Sequence, residues 1–136
     1  MRLGRAAAYA VFATVHLAEN GNGTPIQGRD IAEACGIPSG HLLKILQQLV
    51  RVQVLSSERG PAGGFMLRKA AAEITLLEIV EAIEGPINGD LALRTVADDK
   101  EGTRVQLEEA CQNVAEYAKS LLAKMHVSEL TRARNN

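Results

Sequence analysis

A mainly α-helical chain with one small β-hairpin is the fold this sequence predicts, and three observations carry the prediction. Stretches with helical apolar period alternate with breakers rich in Gly, Asn and Pro. Two short extended runs flank the turn Gly60-Pro61-Ala62-Gly63-Gly64. Near the C-terminus a 4-3 apolar spacing persists from Leu107 to Met125, as in a long helix. The 136 residues suit one compact unit with an appended element. Hydrophobic residues make up 46% of the chain, which excludes disorder. With two Tyr, two Phe and no Trp, the core must be built from Leu, Ile, Val and Ala, a composition that favours helix.

The first helix is expected over about Leu3 to Ala18, stopped by Asn20-Gly21-Asn22-Gly23, residues that tolerate a left-handed backbone. A short second helix, Gly28 to Ala34, ends at Gly36. The third starts at Pro38, whose missing N–H would be unpaired in a first turn anyway, and runs to about Val52. Val54 to Arg59 and Phe65 to Arg68 are the hairpin strands. A fourth helix, Leu76 to Glu84, is closed by Gly85-Pro86. Asn88 to Gly102 is loop-like, with a turn of helix expected at Leu91 to Val96. The last helix spans Thr103 to Met125, and Thr131 to Asn136 is expected to fray. The natural division is 1–86 and 87–136.

Helix, short helix, tight turn, helix, hairpin is the order of a winged helix-turn-helix. Ala32 is small where the two helices cross, Gly36 supplies a positive φ at the turn, and Ile37, Leu42 and Ile45 are apolar contacts between them. On the third helix Leu42, Ile45, Leu46 and Leu49 form one apolar stripe. The opposite face offers His41, Lys44, Gln47, Gln48 and Arg51, donor-rich side chains with no carboxylate, as suits a helix in a major groove. A merely solvated face usually carries Glu or Asp as well. Leu43, at the margin, is either core edge or a contact for a thymine methyl. The hairpin is the wing: Arg59 at its shoulder can reach phosphate or minor groove, and Gly60, Gly63 and Gly64 allow tight reversal and close backbone approach. A nucleotide-cradling loop is excluded, since no Gly-Lys-Ser/Thr follows and no helix opens there.

Charge agrees. The net charge of −1 hides a first half, residues 1–69, with eight bases against four acids, and a remainder with seven against twelve. Only the first half suits a polyanion. Cys35 and Cys111 make no disulfide framework, which points to a reduced setting. The Ala-rich N-terminus outlines a secretory signal only loosely, because His16 and Glu19 follow at once. No run reaches the roughly 20 apolar residues that span a bilayer. A cytoplasmic protein without membrane contact is expected.

In Met1-Arg2-Leu3, Tyr9-Ala10, Leu17-Ala18, Asp30-Ile31-Ala32, His41-Leu42 and the Leu49 turn, the run Arg59 to Leu67, Ile74 to Val80 and Glu84-Gly85-Pro86, the chain resembles the Rrf-two family of bacterial winged helix-turn-helix regulators. The resemblance is close over roughly 1–86, follows helix pattern alone over 103–130, and is most specific in the Arg-Gly-x-x-Gly-Gly wing. It implies a homodimer on a pseudo-palindromic operator. Gly4 stands where the family usually has Ser or Thr, and His41 where it often has an aromatic. Cluster-binding members place three cysteines between the fourth helix and the long helix, where Asn88 to Arg104 here has none. Iron–sulfur clusters are typically held by four ligands, mostly thiolates, so no such cofactor is expected.

Leu107, Cys111, Val114, Ala118, Leu121 and Met125 form the stripe of the long helix. The stripe alone fits packing on its own domain or on a partner, and the resemblance favours pairing between two protomers. Cys111 on this seam reads as a small packing residue more readily than as a redox switch. His16, His41 and His126 are scattered and give no metal site, and no triad or carboxylate pair suggests an enzyme. The expectation is a sequence-specific regulator of double-stranded DNA, acting as a repressor. The alternative is a winged-fold module that binds protein without productive DNA binding. A small ligand, thiol modification at Cys111 or Cys35, and a protein partner all stay open as inputs.

Overall fold

The computed structural model describes residues 1–91 and 102–132. Its elements are α1 (Arg5–Asn20), α2 (Gly28–Cys35), α3 (Ser39–Arg51), β1 (Leu55–Glu58), β2 (Gly64–Leu67), a 3-10 turn (Ala71–Glu73), α4 (Leu76–Glu84), α5 (Thr103–Lys124) and a second 3-10 turn (Val127–Leu130). Beyond Leu91, the helical turn expected at Leu91 to Val96 lies outside the described residues, as does the tail past Arg132.

Helix α1 is a spine. Ala7, Ala10, Ala13, Thr14 and Leu17 are buried, and four of the five are small, so α2, α3 and α4 can all approach closely. The buried Thr14 hydroxyl donates to the Ala10 carbonyl at 2.7 Å, which answers its burial. The helix outlasts the expected Ala18 because Gly21 keeps helical dihedrals and its N–H reaches Leu17 O. The chain turns only at Asn22 and Gly23, both of positive φ.

The α2–α3 turn forms around Gly36, in the left-handed region at φ 69°, with the Ile37 N–H bonded to Ala32 O at 2.9 Å. Pro38 stands one place before α3, its carbonyl accepting from Leu42 N. Leu42, Ile45, Leu46 and Leu49 lie in the core with Ile31, Ile37, Val54 and Leu55. Each such burial is worth roughly 1.5–3 kcal/mol, so the phase of α3, and with it the identity of its outer face, is firmly set. The two strands pair antiparallel from Leu55↔Leu67 to Glu58↔Gly64.

Helix α4 starts with a capping box. Glu78 N donates to Thr75 Oγ1 at 3.2 Å, and Thr75 N donates to Glu78 Oε2 at 2.9 Å. Burial pushes the Glu78 carboxyl up, but Lys69 Nζ at 2.7 Å and the bonds from Thr75 outweigh it, leaving the group below its usual value. Helix α5 packs on α4 and buries Ala115 and Leu122. After α5 the chain returns: Leu76 N donates to Met125 O, Val127 N to Ile74 O, and Val127 joins the core. This return has no sequence expectation behind it.

Candidate nucleic-acid interface

With α3 fixed in phase, His41, Lys44, Gln47 and Arg51 are exposed on its outer side. Gln48, expected on the same face, is half-buried. His41 is braced from α1, its ring meeting Tyr9 edge-on at 6.0 Å between centroids. Leu43, left open by the sequence, is 46% exposed and so is not core edge. A large apolar side chain beside Lys44 and Gln47 offers a contact for a thymine methyl.

The wing's glycines divide by role. Gly60 is exposed, with φ 98°, and its carbonyl accepts from Gly63 N at 3.0 Å to close the tip. Gly63 is buried, and a Cβ there would lie 2.2 Å from Glu58 O. At Gly64, φ 142°, a Cβ would lie 2.3 Å from Ile26 O. The close approaches of Gly63 and Gly64 are thus to the protein's own backbone, and Gly60 is the one that offers surface. Arg59, exposed, stands beside it.

The Gly64 approach exists because the wing is stitched to the segment entering α2. Ile26 N donates to Phe65 O at 2.9 Å and Phe65 N to Ile26 O at 2.8 Å. One residue on, Gln27 Nε2 donates to Pro61 O at 2.8 Å, tying the wing's tip to the start of α2. Sequence reasoning missed Gln27. The available signal was negative: Gln27 occupies an N-cap, where Ser, Thr, Asp or Asn would bond the helix's first N–H groups, and its side chain makes no such bond.

Between the starts of α2 and α3 lies a recess of about 450 Å³ lined by Gln27, Gly28, Arg29, Ser39, Gly40 and Leu43. Arg29 is exposed there, at the positive end of α2. It too was missed, because a lone Arg in a short helix has no distinguishing pattern. The assembled surface runs from Arg59 through Gln27 and Arg29 to Lys44, Gln47 and Arg51.

The expected pairing stripe lies on α5. Leu107, Val114, Leu121 and Met125 are 47%, 69%, 47% and 40% exposed, with Cys111 and Ala118 half-buried beside them. The residues that bury α5 against its own chain, Ala115 and Leu122, are outside the stripe.

Three consecutive helices with a β-hairpin after the third and an outward cationic helix define a winged helix-turn-helix transcription regulator. The chain belongs to the Rrf2 family: the family described as "Iron-dependent Transcriptional regulator" matches residues 3–133. The chain is similar to an HTH-type transcriptional regulator, IscR, of Photorhabdus laumondii, at 32% identity over 112 residues, 82% of this chain and 60% of that protein. At 34% identity it is also similar to IscR of Escherichia coli, over 88 residues, 65% of this chain and 54% of that protein. The chain thus spans little more than half the length of these curated relatives. Among solved structures, CymR, the global cysteine regulator of B. subtilis, superposes with a TM-score of 0.75 over 98% of each chain at 21% identity. T. potens IscR superposes with a TM-score of 0.72 over 96% of this chain and 85% of that one, at 18% identity. Family and relatives are regulators, not enzymes.

Iron-dependent regulation needs residues that can hold iron. The sequence has two cysteines, one on α2 and one on α5. Burial pushes the Cys35 thiol up, and its Sγ lies 4.0 Å from Phe12 O, so it is no ready thiolate ligand. Among the described residues no three His, Cys, Asp or Glu gather to hold a metal. This donor set does not fit a four-ligand iron–sulfur cluster.

Proposed function

We propose that the chain binds double-stranded DNA sequence-specifically as a homodimer, in the cytoplasm, and represses by occupying a pseudo-palindromic operator. The observation that carries the reading is the outer face of α3. Lys44, Gln47 and Arg51 stand exposed on a helix with no carboxylate, continuous with Arg29 and flanked by Arg59 on the wing. Base reading falls to Leu43, Lys44 and Gln47, with Gln48 and His41 at the edge. Backbone contact falls to Arg29, Arg51, Arg59 and Gly60.

The homodimer reading is supported by the exposed apolar side chains of α5. Three large hydrophobics along one helix, with Met125 just past its end, are an unusual load for a free surface, and a second copy of the same helix covers them symmetrically. Regulation proceeds without the family's cluster, since the thiols for it are lacking. Titrating a mixed-sequence duplex at several salt concentrations tests the reading: log K should fall linearly with log salt as phosphates are neutralised. A salt-independent affinity, or none, would favour the protein-binding alternative.

A further inference from the structure

The last turn of α1, the end of α2 and the segment after α5 line a half-open cavity of about 660 Å³, apart from the proposed DNA surface and within the range of small-molecule sites. Its polar walls carry both signs of charge. Glu19 comes from α1 and Arg132 from the returning segment, and the Arg132 backbone N–H donates to the Glu19 carboxylate. That bond fixes the carboxylate through main chain and does not involve the guanidinium. His16 also lines the cavity, its Nδ1 3.2 Å from the Asn20 amide nitrogen. Helix α1 has no Lys or Arg in its last turn, so the negative end of its dipole favours a cation at this place. The remaining wall includes Ala34 and Ala71, small and apolar.

A simple anion would meet Glu19 and the negative helix end, and a simple cation would meet Arg132. A zwitterion satisfies both, its ammonium toward Glu19 and the end of α1 and its carboxylate toward Arg132. We propose that this cavity binds a free α-amino acid whose short side chain lies against Ala34 and Ala71. Ala34 is two residues from the Gly36 turn, so occupancy bears on the α2–α3 pair. That regulatory consequence rests on the DNA reading, whereas binding itself does not.

Calorimetric titration of the full chain without DNA separates the two. The probes are the standard L-amino acids and glycine, one at a time, with propionate and propylamine as single-charge controls. At least one small amino acid should bind while neither control does. Arg132→Ala keeps the backbone bond to Glu19, so its melting temperature should hold while affinity falls roughly tenfold or more, as for loss of a charged hydrogen-bond partner. Arg132→Lys should restore part of it. Absence of heat from every amino acid at millimolar concentration, equal binding of either control, or unaltered affinity in Arg132→Ala would each overturn the proposal.

Discussion

Replacing Gln27 with Ala removes one hydrogen bond, the 2.8 Å bond from Nε2 to Pro61 O, and leaves both backbone bonds between Ile26 and Phe65 in place. The wing's root therefore stays and only its tip is released. A neutral, solvent-accessible bond contributes about 0.5–1.5 kcal/mol net, and here the lower end applies, so melting should fall by no more than a few degrees. The larger effect is on DNA, because Arg59 stands two residues before Pro61 on the tip that Gln27 holds. Loss of this positioning should weaken duplex binding about two- to tenfold, the equivalent of up to about 1.4 kcal/mol. Fluorescence anisotropy with a labelled duplex reads the affinity, and a double-mutant cycle with Arg59→Ala reads the mechanism. If Gln27 acts through the wing, the double variant binds no more weakly than Arg59→Ala alone. Losses that simply add, or a Gln27→Ala protein that binds as the parent does, would refute the latch.

Other outcomes follow from the same geometry. Gln47→Ala should cost roughly 1–3 kcal/mol on the cognate operator and little on random duplex, while Arg59→Ala weakens both and lowers the salt slope by about one; equal losses on the two duplexes for Gln47→Ala would contradict its base-reading role. Leu121→Asp places a charge on the exposed α5 stripe, so light scattering should show dissociation toward a single chain while circular dichroism keeps its helix content. Anaerobic incubation with iron and sulfide should leave the protein colourless, and a stoichiometric visible chromophore would implicate non-cysteine ligands beside Cys111 or Cys35. Glu78, held below the usual carboxylate value, contributes stability that is present above its unfolded pKa and is lost as pH falls through the folded one. Glu78→Gln should therefore flatten the acid limb of a melting-temperature profile, and an unchanged limb would show that ionised Glu78, with its Lys69 and Thr75 partners, adds no stability.

Local pattern was legible where local forces decide. Helix α4 occupies the expected Leu76–Glu84 because its apolar period and the Gly85-Pro86 stop act within the segment itself. The Gly36 turn and the hairpin are likewise short-range. What escaped is non-local. Val127 reaches the core through a backbone bond to Ile74, more than fifty residues earlier, and one Val in a polar stretch has no periodicity to announce it. Gln27 meets Pro61 across 34 residues, and Arg29 shares a recess with Leu43 only once α2 and α3 have packed together. A helical wheel places Gln48 on the polar face of α3 but does not give its degree of burial, which is partial.

In the proposed complex, two copies of α3 read DNA together across a two-fold axis. Selection of duplexes from a random-sequence pool by the full chain tests it most directly. Two inverted half-sites should emerge, with centres one helical turn apart, about 10–10.5 base pairs, or a whole multiple of that. Their enrichment should vanish in Gln47→Ala and Lys44→Ala. A pool that stays unenriched, or one yielding a single half-site bound by one chain, would contradict the account.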